Sequence, residues 1–378
     1  MHNEQWPTSL GPIICVVGAR PNFMKMAPIL RAFRSHRPPL PTLLLHTGQH
    51  YDQDMNDRLF VDLRLPHPDV NLEVGSATHA VQTAEVMRRF EPVRDAHKPS
   101  CVLVVGDVNS TLACSLVCAK RGVPVVHVEA GLRSYDRAMP EEINRVLTDQ
   151  IADRLYTTER SAHANLAREG IADERIRFVG NVMIDSLLAN RELARPAAKT
   201  LQLAGFDPAI VDQAQGYGVV TLHRPSNVDQ KESLQPLLTV LREVSERLPL
   251  VFALHPRTRA NVMRFGLGEL LDSERVVLLP PQGYLEMLGL LMGAKLVLSD
   301  SGGLQEETTA LGVPCLTMRE NTERPITVEQ GTNTLVGANS DAIRRGVDEI
   351  LSGAGKSGRV PEFWDGRAAE RIAADLCQ

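Results

Sequence analysis

The chain has 378 residues, more than one typical domain, so two domains are expected. Its formal charge is −5, with 46 Asp+Glu against 41 Lys+Arg and no long basic run, which argues against a nucleic-acid partner. No apolar run approaches the ~20 residues of a membrane span and no charged-then-apolar leader opens the sequence, so a cytoplasmic protein without a membrane partner is expected.

In chain order, residues 1–10 read as a loose tail. Strand candidates at 12–17, 41–46, 101–105, 123–128, 155–157 and 176–179 then alternate with helical stretches such as 109–120 and 143–153. In the latter, Ile143, Val146, Leu147 and Ile151 make one apolar stripe. Near-continuous apolar strands separated by helices imply a parallel sheet covered on both faces. From 187 to 215 the pattern becomes an Ala/Leu-rich helical connector. A second cycle follows, with strands at 217–222, 250–254, 275–279, 295–298, 314–317 and 334–336. The economical architecture is α/β: two doubly wound Rossmann-like domains facing a central cleft, residues 1–186 and 187–364. An amphipathic helix from about residue 365 is able to pack back on the first. The six cysteines, at 15, 101, 114, 118, 315 and 377, show no CxxC spacing and there is no HExxH. They read as small buried hydrophobes, and no metal is expected.

Nearly every strand ends in residues capable of chemistry: Arg20, His46 to Gln49, Asp107, Glu129, His223 and Arg224, His255 and Arg257, Ser299 to Ser301, and Arg319. In a parallel sheet those ends point one way, and two facing domains would direct them into one cleft. Loop polarity accounts for any one of these and poorly for the set.

The stretch 127–145 concentrates the chemistry. Glu129 leaves a strand at its carboxyl end, Glu141 and Glu142 follow Pro140 in the first turn of a helix, and a Gly/Arg/Ser/Asp-rich loop joins them. The plain alternative is an i,i+4 pair of Glu141 with Arg145 that supports the helix. Asp107 ends the preceding strand and is expected beside Glu129. Closely spaced carboxylates push one pKa upward, so that one acts as base and another as acid at neutral pH. With Glu141 they suit proton abstraction at carbon combined with departure of a leaving group. A metal-binding acidic cluster is the rival, and no His or third hard ligand is placed for it.

No GxGxxG follows a strand and no GxxxxGK[ST] occurs, which disfavours NAD chemistry and P-loop hydrolysis. A different anion site is legible. A strand runs through Ser301, Gly302 and Gly303 into a helix whose free N–H groups and dipole suit a phosphate. Glu306 and Glu307, a turn inside, are able to accept hydrogen bonds from ribose hydroxyls. The combination points to a nucleoside diphosphate, with an ordinary small-residue N-cap as the competing account. Arg20 and Lys25 bracket the first strand-to-helix loop, and Arg224 and Arg257 lie across the expected cleft; local cations bind an anion even in an acidic protein.

The motifs now assembled are Gly18-Ala-Arg-Pro with Lys25, Gly106-Asp107, His127-Val-Glu-Ala-Gly-Leu-Arg133, Pro140-Glu-Glu with Asn144-Arg145, Gly180-Asn, His223-Arg224, Asp300-Ser-Gly-Gly-Leu-Gln-Glu-Glu307 and Thr322-Glu-Arg-Pro325. With them the chain resembles the non-hydrolysing UDP-N-acetylglucosamine 2-epimerase family from about residue 13 to 337. The resemblance implies a GT-B-like fold, UDP held mainly by the second domain, and a homodimer. It also implies interconversion of UDP-GlcNAc and UDP-ManNAc without a cofactor. A base removes the C2 proton, UDP leaves to give a 2-acetamidoglucal, and both are re-added with C2 inverted. By motif position Asp107, Glu129 and Glu141 match the family's acid/base carboxylates. His223 and Arg20 match groups that steady the departing diphosphate, assisted by Lys25. Ser301, Gly302, Gly303 and Glu307 match the UDP site, with Arg224 and His255 as further substrate-binding residues.

The chain also departs from the family pattern. The loop between Glu129 and Glu141 is shorter. The family's Gln-x-x-Gln, which helps hold a second, activating UDP-GlcNAc, here runs from Gln49 to Asp52. His46-Thr-Gly-Gln-His-Tyr51 and Ser134-Tyr-Asp-Arg-Ala-Met139 look more like a branch that includes epimerases of UDP-2,3-diacetamido-2,3-dideoxy-glucuronate, which leaves the C3 and C6 substituents of the sugar open. The rival reaction class is a GT-B glycosyltransferase, which needs the 301–307 site but not a carboxylate set at C2. A catalytically silent sugar-nucleotide sensor is a third reading.

Overall fold

The computed structural model describes residues 11–48 and 59–377; the 1–10 tail and the 49–52 motif lie outside the described residues. The chain divides into two compact units, Met1–Ala189 with Glu362–Gln378, and Asn190–Pro361.

The first unit is built on seven parallel strands: β1 (Ile13–Val17), β2 (Thr42–His46), β3 (Val70–Asn71), β4 (Cys101–Val105), β5 (Val125–Ala130), β6 (Arg154–Thr157) and β7 (Ile176–Phe178). Their order is β3-β2-β1-β4-β5-β6-β7. β1, β4 and β5 are buried along their whole length, as their unbroken apolar runs require of a sheet covered by helices on both faces. β3 had no signal in the sequence, because its two residues are too few to show a period.

The second unit carries β8 (Gly218–Thr221), β9 (Leu250–Ala253), β10 (Val276–Leu279), β11 (Leu296–Ser299), β12 (Cys315–Thr317) and β13 (Asn333–Leu335), all parallel, in the order β10-β9-β8-β11-β12-β13. Successive residues feed opposite faces. Val220, Phe252 and Leu298 belong to one core, and Val219, Val251 and Val297 to the other. Both sheets are therefore Rossmann-like, and each reverses its winding at one place, between β1 and β4 and between β8 and β11. Ligands of open α/β sheets bind at such reversals, beyond the carboxyl ends of the strands. Arg20 and Asp107 follow the first pair; His223 and Ser301 follow the second.

The terminal helix Ala368–Leu376 belongs to the first unit, packed on the Arg20–Ser35 helix. Asp185 serves as its remote cap: the two carboxylate oxygens accept from Ala368 N–H at 3.2 Å and Ala369 N–H at 2.7 Å. Tyr156 donates to Asp375 near the other end at 2.8 Å.

One helix faces an unusual way, and one expectation, that every cysteine is buried, is corrected. The stripe in the Pro140–Ile151 helix does not face the core: Ile143 is 48% exposed and Leu147 46%, whereas Glu142, Asn144, Arg145, Thr148 and Asp149 are buried. The helix is turned by its polar partners at the ends of β4 and β5, against the usual rule for a surface helix. Of the cysteines, Cys377 is exposed and the other five are buried. Burial pushes the Cys101 and Cys118 thiols up to about 12 and Cys315 up to about 11, so none of the three supplies a thiolate near neutral pH.

Candidate functional site

The first cluster stands on two adjacent strand ends. β4 pairs with β5 in parallel, Val105 opposite Val128, which places Asp107, just past β4, beside Glu129, the unpaired residue before the last position of β5. Gly106 makes its corner with φ +68°, a conformation that favours glycine, and a Cβ there would come within 3.2 Å of Lys25 Nζ. Glu129 makes the other corner with φ +73°, at a register shift between Val128 and Ala130. A side chain in the left-handed region costs about 1–2 kcal/mol and persists only where its surroundings over-determine it. Here the buried Glu129 carboxylate is gripped through both oxygens by Lys25 Nζ, at 2.7 and 2.6 Å.

Lys25 reaches that point because the start of the Arg20–Ser35 helix is anchored to β4. Asn22 Oδ1 accepts from Gly18 N–H at 3.2 Å and Ala19 N–H at 2.9 Å, while its Nδ2 donates to the Val105 carbonyl at 2.9 Å. Arg20, half-buried, opens this helix.

Asp107 has its own cation. Arg145 Nη2 lies 2.5 Å from Asp107 Oδ2, and Arg145 Nη1 donates to Glu142 at 2.7 Å. The expected i,i+4 alternative of Glu141 with Arg145 is thus replaced by an i,i+3 pair with Glu142. Glu142 also accepts from Ser134 N–H and Tyr135 N–H at 3.0 and 2.8 Å, which fastens the intervening loop. Glu141, half-buried in the first turn, makes no hydrogen bond or ion pair among the described residues. The outcome is three carboxylates with distinct settings: Glu129 buried against an ammonium, Asp107 against a guanidinium, Glu141 uncommitted.

The second cluster stands on β8 and β11, also neighbours. Asp300 is fully buried and accepts from His223 N–H, Arg224 N–H and Asn227 Nδ2 at 3.0, 2.9 and 3.2 Å. Burial pushes its carboxyl up, but His223 and the backbone donors outweigh that and hold it below the usual range. Its Oδ1 lies 2.9 Å from His223 Nδ1, which turns Nε2 of this part-exposed imidazole outward. The His255 ring stands 5.7 Å from that of His223, and burial followed by His223 pulls its pKa down. His255 Nδ1 accepts from Arg257 N–H at 3.2 Å and caps the Pro256–Phe265 helix, while the Arg257 guanidinium is bound to Asp229. The structure thus commits Arg257 to Asp229.

The predicted anion site begins where β11 meets the Gly302–Leu311 helix. Ser301 is the N-cap residue but its side chain makes no capping bond, and its N–H is held by Ser299 Oγ at 3.0 Å. Gly302 is required by crowding: a Cβ would meet Glu323 Oε1 at 2.7 Å. Gly303 follows in the first turn, half-buried, and Glu307 is buried a turn further in. Glu306 is bound to Arg324 at 2.9 Å, which ties it to the protein. Arg319 and Arg324 both bind Glu323, at 2.8 and 2.9 Å, and Arg224 lies 3.9 Å from it. The 322–325 motif was visible in the sequence; Asn22, Arg145 and Asp300 were missed as supports, because nothing local marks their long-range partners. Among the described residues no group of three or more His, Cys, Asp or Glu is arranged for a metal ion, and no helix is long and apolar enough to cross a membrane.

The UDP-N-acetylglucosamine 2-epimerase family model matches residues 34–376. The chain is 42% identical over 364 residues to the UDP-N-acetylglucosamine 2-epimerase of Methanocaldococcus jannaschii, covering 96% of this chain and 97% of that one. It is 39% identical over 373 residues to the UDP-2,3-diacetamido-2,3-dideoxy-D-glucuronate 2-epimerase of Pseudomonas aeruginosa, covering 97% and 99%. Among solved structures, the M. jannaschii enzyme in complex with UDP-GlcNAc and UDP matches with a TM-score of 0.87 at 40% identity, over 97% of this chain and 99% of that one. With such neighbours, the two Rossmann-like domains are of the GT-B-like class.

Proposed function

We propose, on the premise that this chain belongs to the UDP-N-acetylglucosamine 2-epimerase family, that it inverts C2 of UDP-N-acetylglucosamine to give UDP-N-acetylmannosamine. The observation that carries the reading is the pair of carboxylates on adjacent strand ends, one held at a strained corner by Lys25 and the other by Arg145.

In this reading one carboxylate takes the C2 proton. The C1–O bond to UDP breaks, its electrons pass to the diphosphate oxygen, and a C1=C2 double bond forms, giving 2-acetamidoglucal. Return of a proton to the opposite face of C2 and of UDP to C1 completes the inversion. Asp107, Glu129 and Glu141 are the proton-handling groups. The N–H groups of Gly302 and Gly303, with the dipole of the helix behind them, take the diphosphate. His223 through Nε2, Arg20 and Arg224 add donors for the departing charge, and Glu307 accepts from the ribose.

The test is incubation with UDP-GlcNAc in heavy water. Deuterium at C2 of a UDP-ManNAc product supports the reading. Transfer to an added acceptor without exchange would make the chain a glycosyltransferase, and binding with neither outcome would make it a sensor. The Pseudomonas relative favours one second substrate, the 2,3-diacetamido uronate nucleotide, and an NMR product survey across both sugars separates them.

We further propose a homodimer formed through the Pro140–Ile151 helix. Its polar face is committed to Asp107 and the 134–135 loop, so Ile143 and Leu147 cannot turn inward without breaking those bonds. A second copy presenting the same stripe covers both at once through an isologous contact.

A further inference from the structure

Behind the two strand-end carboxylates lies a charged network that the chemistry above leaves unused. His127 and Asp149 have no solvent exposure. His127 Nδ1 is 2.7 Å from Asp149 Oδ1, and Nε2 is 2.8 Å from the Gly106 carbonyl oxygen. A carbonyl oxygen only accepts, so Nε2 carries a proton. Burial pushes the Asp149 carboxyl up, yet His127 and Arg133 together hold it below the usual range, so it too is an acceptor for its neighbours.

The second Asp149 oxygen accepts from Gly131 N–H at 3.0 Å and from Arg133 at 2.7 Å; Arg133 also holds Glu169 at 2.8 and 2.7 Å. Gly106 immediately precedes Asp107, and Gly131 lies two residues past Glu129. One His–Asp pair therefore binds both corners on which the carboxylates stand. Those corners carry φ values of +68° at Gly106, +73° at Glu129 and +79° at Gly131. A buried charged set adds little net stability over apolar residues of the same volume, so its worth lies elsewhere. What this one does geometrically is set the spacing of two backbone corners.

We propose that His127 and Asp149 are positioning residues of the epimerisation, acting through the Gly106 carbonyl and the Gly131 N–H to fix the separation and aim of Asp107 and Glu129 without touching substrate. The inference rests on the functional reading above and deepens it. Inversion needs a proton taken from one face of C2 and another delivered to the opposite face, so it depends on the relative placement of two groups. Elimination needs one of them. A chain whose corners have drifted would still break the C1–O bond, but would lose UDP and 2-acetamidoglucal to solvent before re-addition.

The experiment uses the full chain with His127→Gln, Asp149→Asn and the double substitution, which replaces both members of the pair at once. Three quantities are read: kcat against KM for UDP-GlcNAc, UDP affinity by calorimetry, and free UDP released per UDP-ManNAc formed. The expected result is a fall in kcat of about 100-fold, the cost of misplacing a catalytic group by roughly an ångström, with KM and UDP affinity unchanged and more free UDP per product. Folded variants with kcat within about threefold of the original chain would overturn the proposal, as would loss of kcat with the UDP-to-product ratio unchanged. Absence of C2 exchange in the unsubstituted chain would instead overturn the functional reading, and is recognised because the parent fails first.

Discussion

Lys25 Nζ stands 2.6 Å from one carboxylate oxygen of Glu129 and 2.7 Å from the other, and both side chains are buried. Removing one member of such a pair strands the other as an uncompensated charge, at a cost of about 3–5 kcal/mol. Lys25→Met is therefore expected to lose stability on that scale in urea unfolding. The Lys25→Met, Glu129→Gln double variant regains most of it but stays inactive. A single variant as stable as the parent would show that the two charges are not coupled.

The three carboxylates differ in what their removal leaves behind. Asp107→Asn leaves Arg145 with Glu142, Glu129→Gln leaves Lys25 facing an amide, and Glu141→Gln disturbs no partner among the described residues. Each is expected to lower turnover by at least ~100-fold, the scale of a general acid or base, with Glu141→Gln the least perturbed in stability. Rates of C2 exchange in heavy water check this, and near-parental exchange in all three would remove the carboxylates from the mechanism.

The outward apolar face of the Pro140–Ile151 helix is open to direct assay. Ile143→Glu with Leu147→Glu puts two charges where both side chains are close to half exposed. Surface changes of this kind alter the stability of an isolated chain by only about ±0.5 kcal/mol. Sedimentation is expected to show the parent as a dimer and the double variant as a monomer; identical sedimentation of the two would rule this helix out as the contact.

Asp185 gives the terminal helix a pH dependence. Burial, ahead of any other influence, raises its pKa from the usual 3.8 to about 6. Because the folded value lies above the unfolded one, the native chain holds this proton more tightly. The stabilisation is complete below about pH 3.8 and is lost as pH rises through about 6, by at most about 3 kcal/mol. Asp185→Asn should flatten that segment of the stability curve, seen as the difference between the two chains' urea midpoints from pH 4 to 7. Parallel curves would contradict it.

Legibility followed the range of the interactions. The strand cycle, the chemistry at strand ends and the glycine-led turn after β11 are local patterns, and they survive in the fold with shifts of a residue or two at element ends. The orientation of the Pro140–Ile151 helix was not legible, because its apolar spacing is real but its burial is decided by Arg145 and Asp149, whose partners lie 38 and 22 residues away. The Arg324–Glu306 pair was likewise invisible, because its members stand 18 residues apart in the chain.

By itself the sequence determined that this chain forms two wound α/β sheets and that acidic, cationic and glycine-rich groups gather at their carboxyl ends. Alternation of apolar strands with helices and the direction of a parallel strand are encoded residue by residue. Only the tertiary structure decided which cations Asp107 and Glu129 meet, that Glu129 stands at a strained corner, and that a buried His–Asp pair ties two corners together. Those outcomes depend on distances between elements far apart in the chain, which exist only once the sheet has brought β4 and β5 side by side.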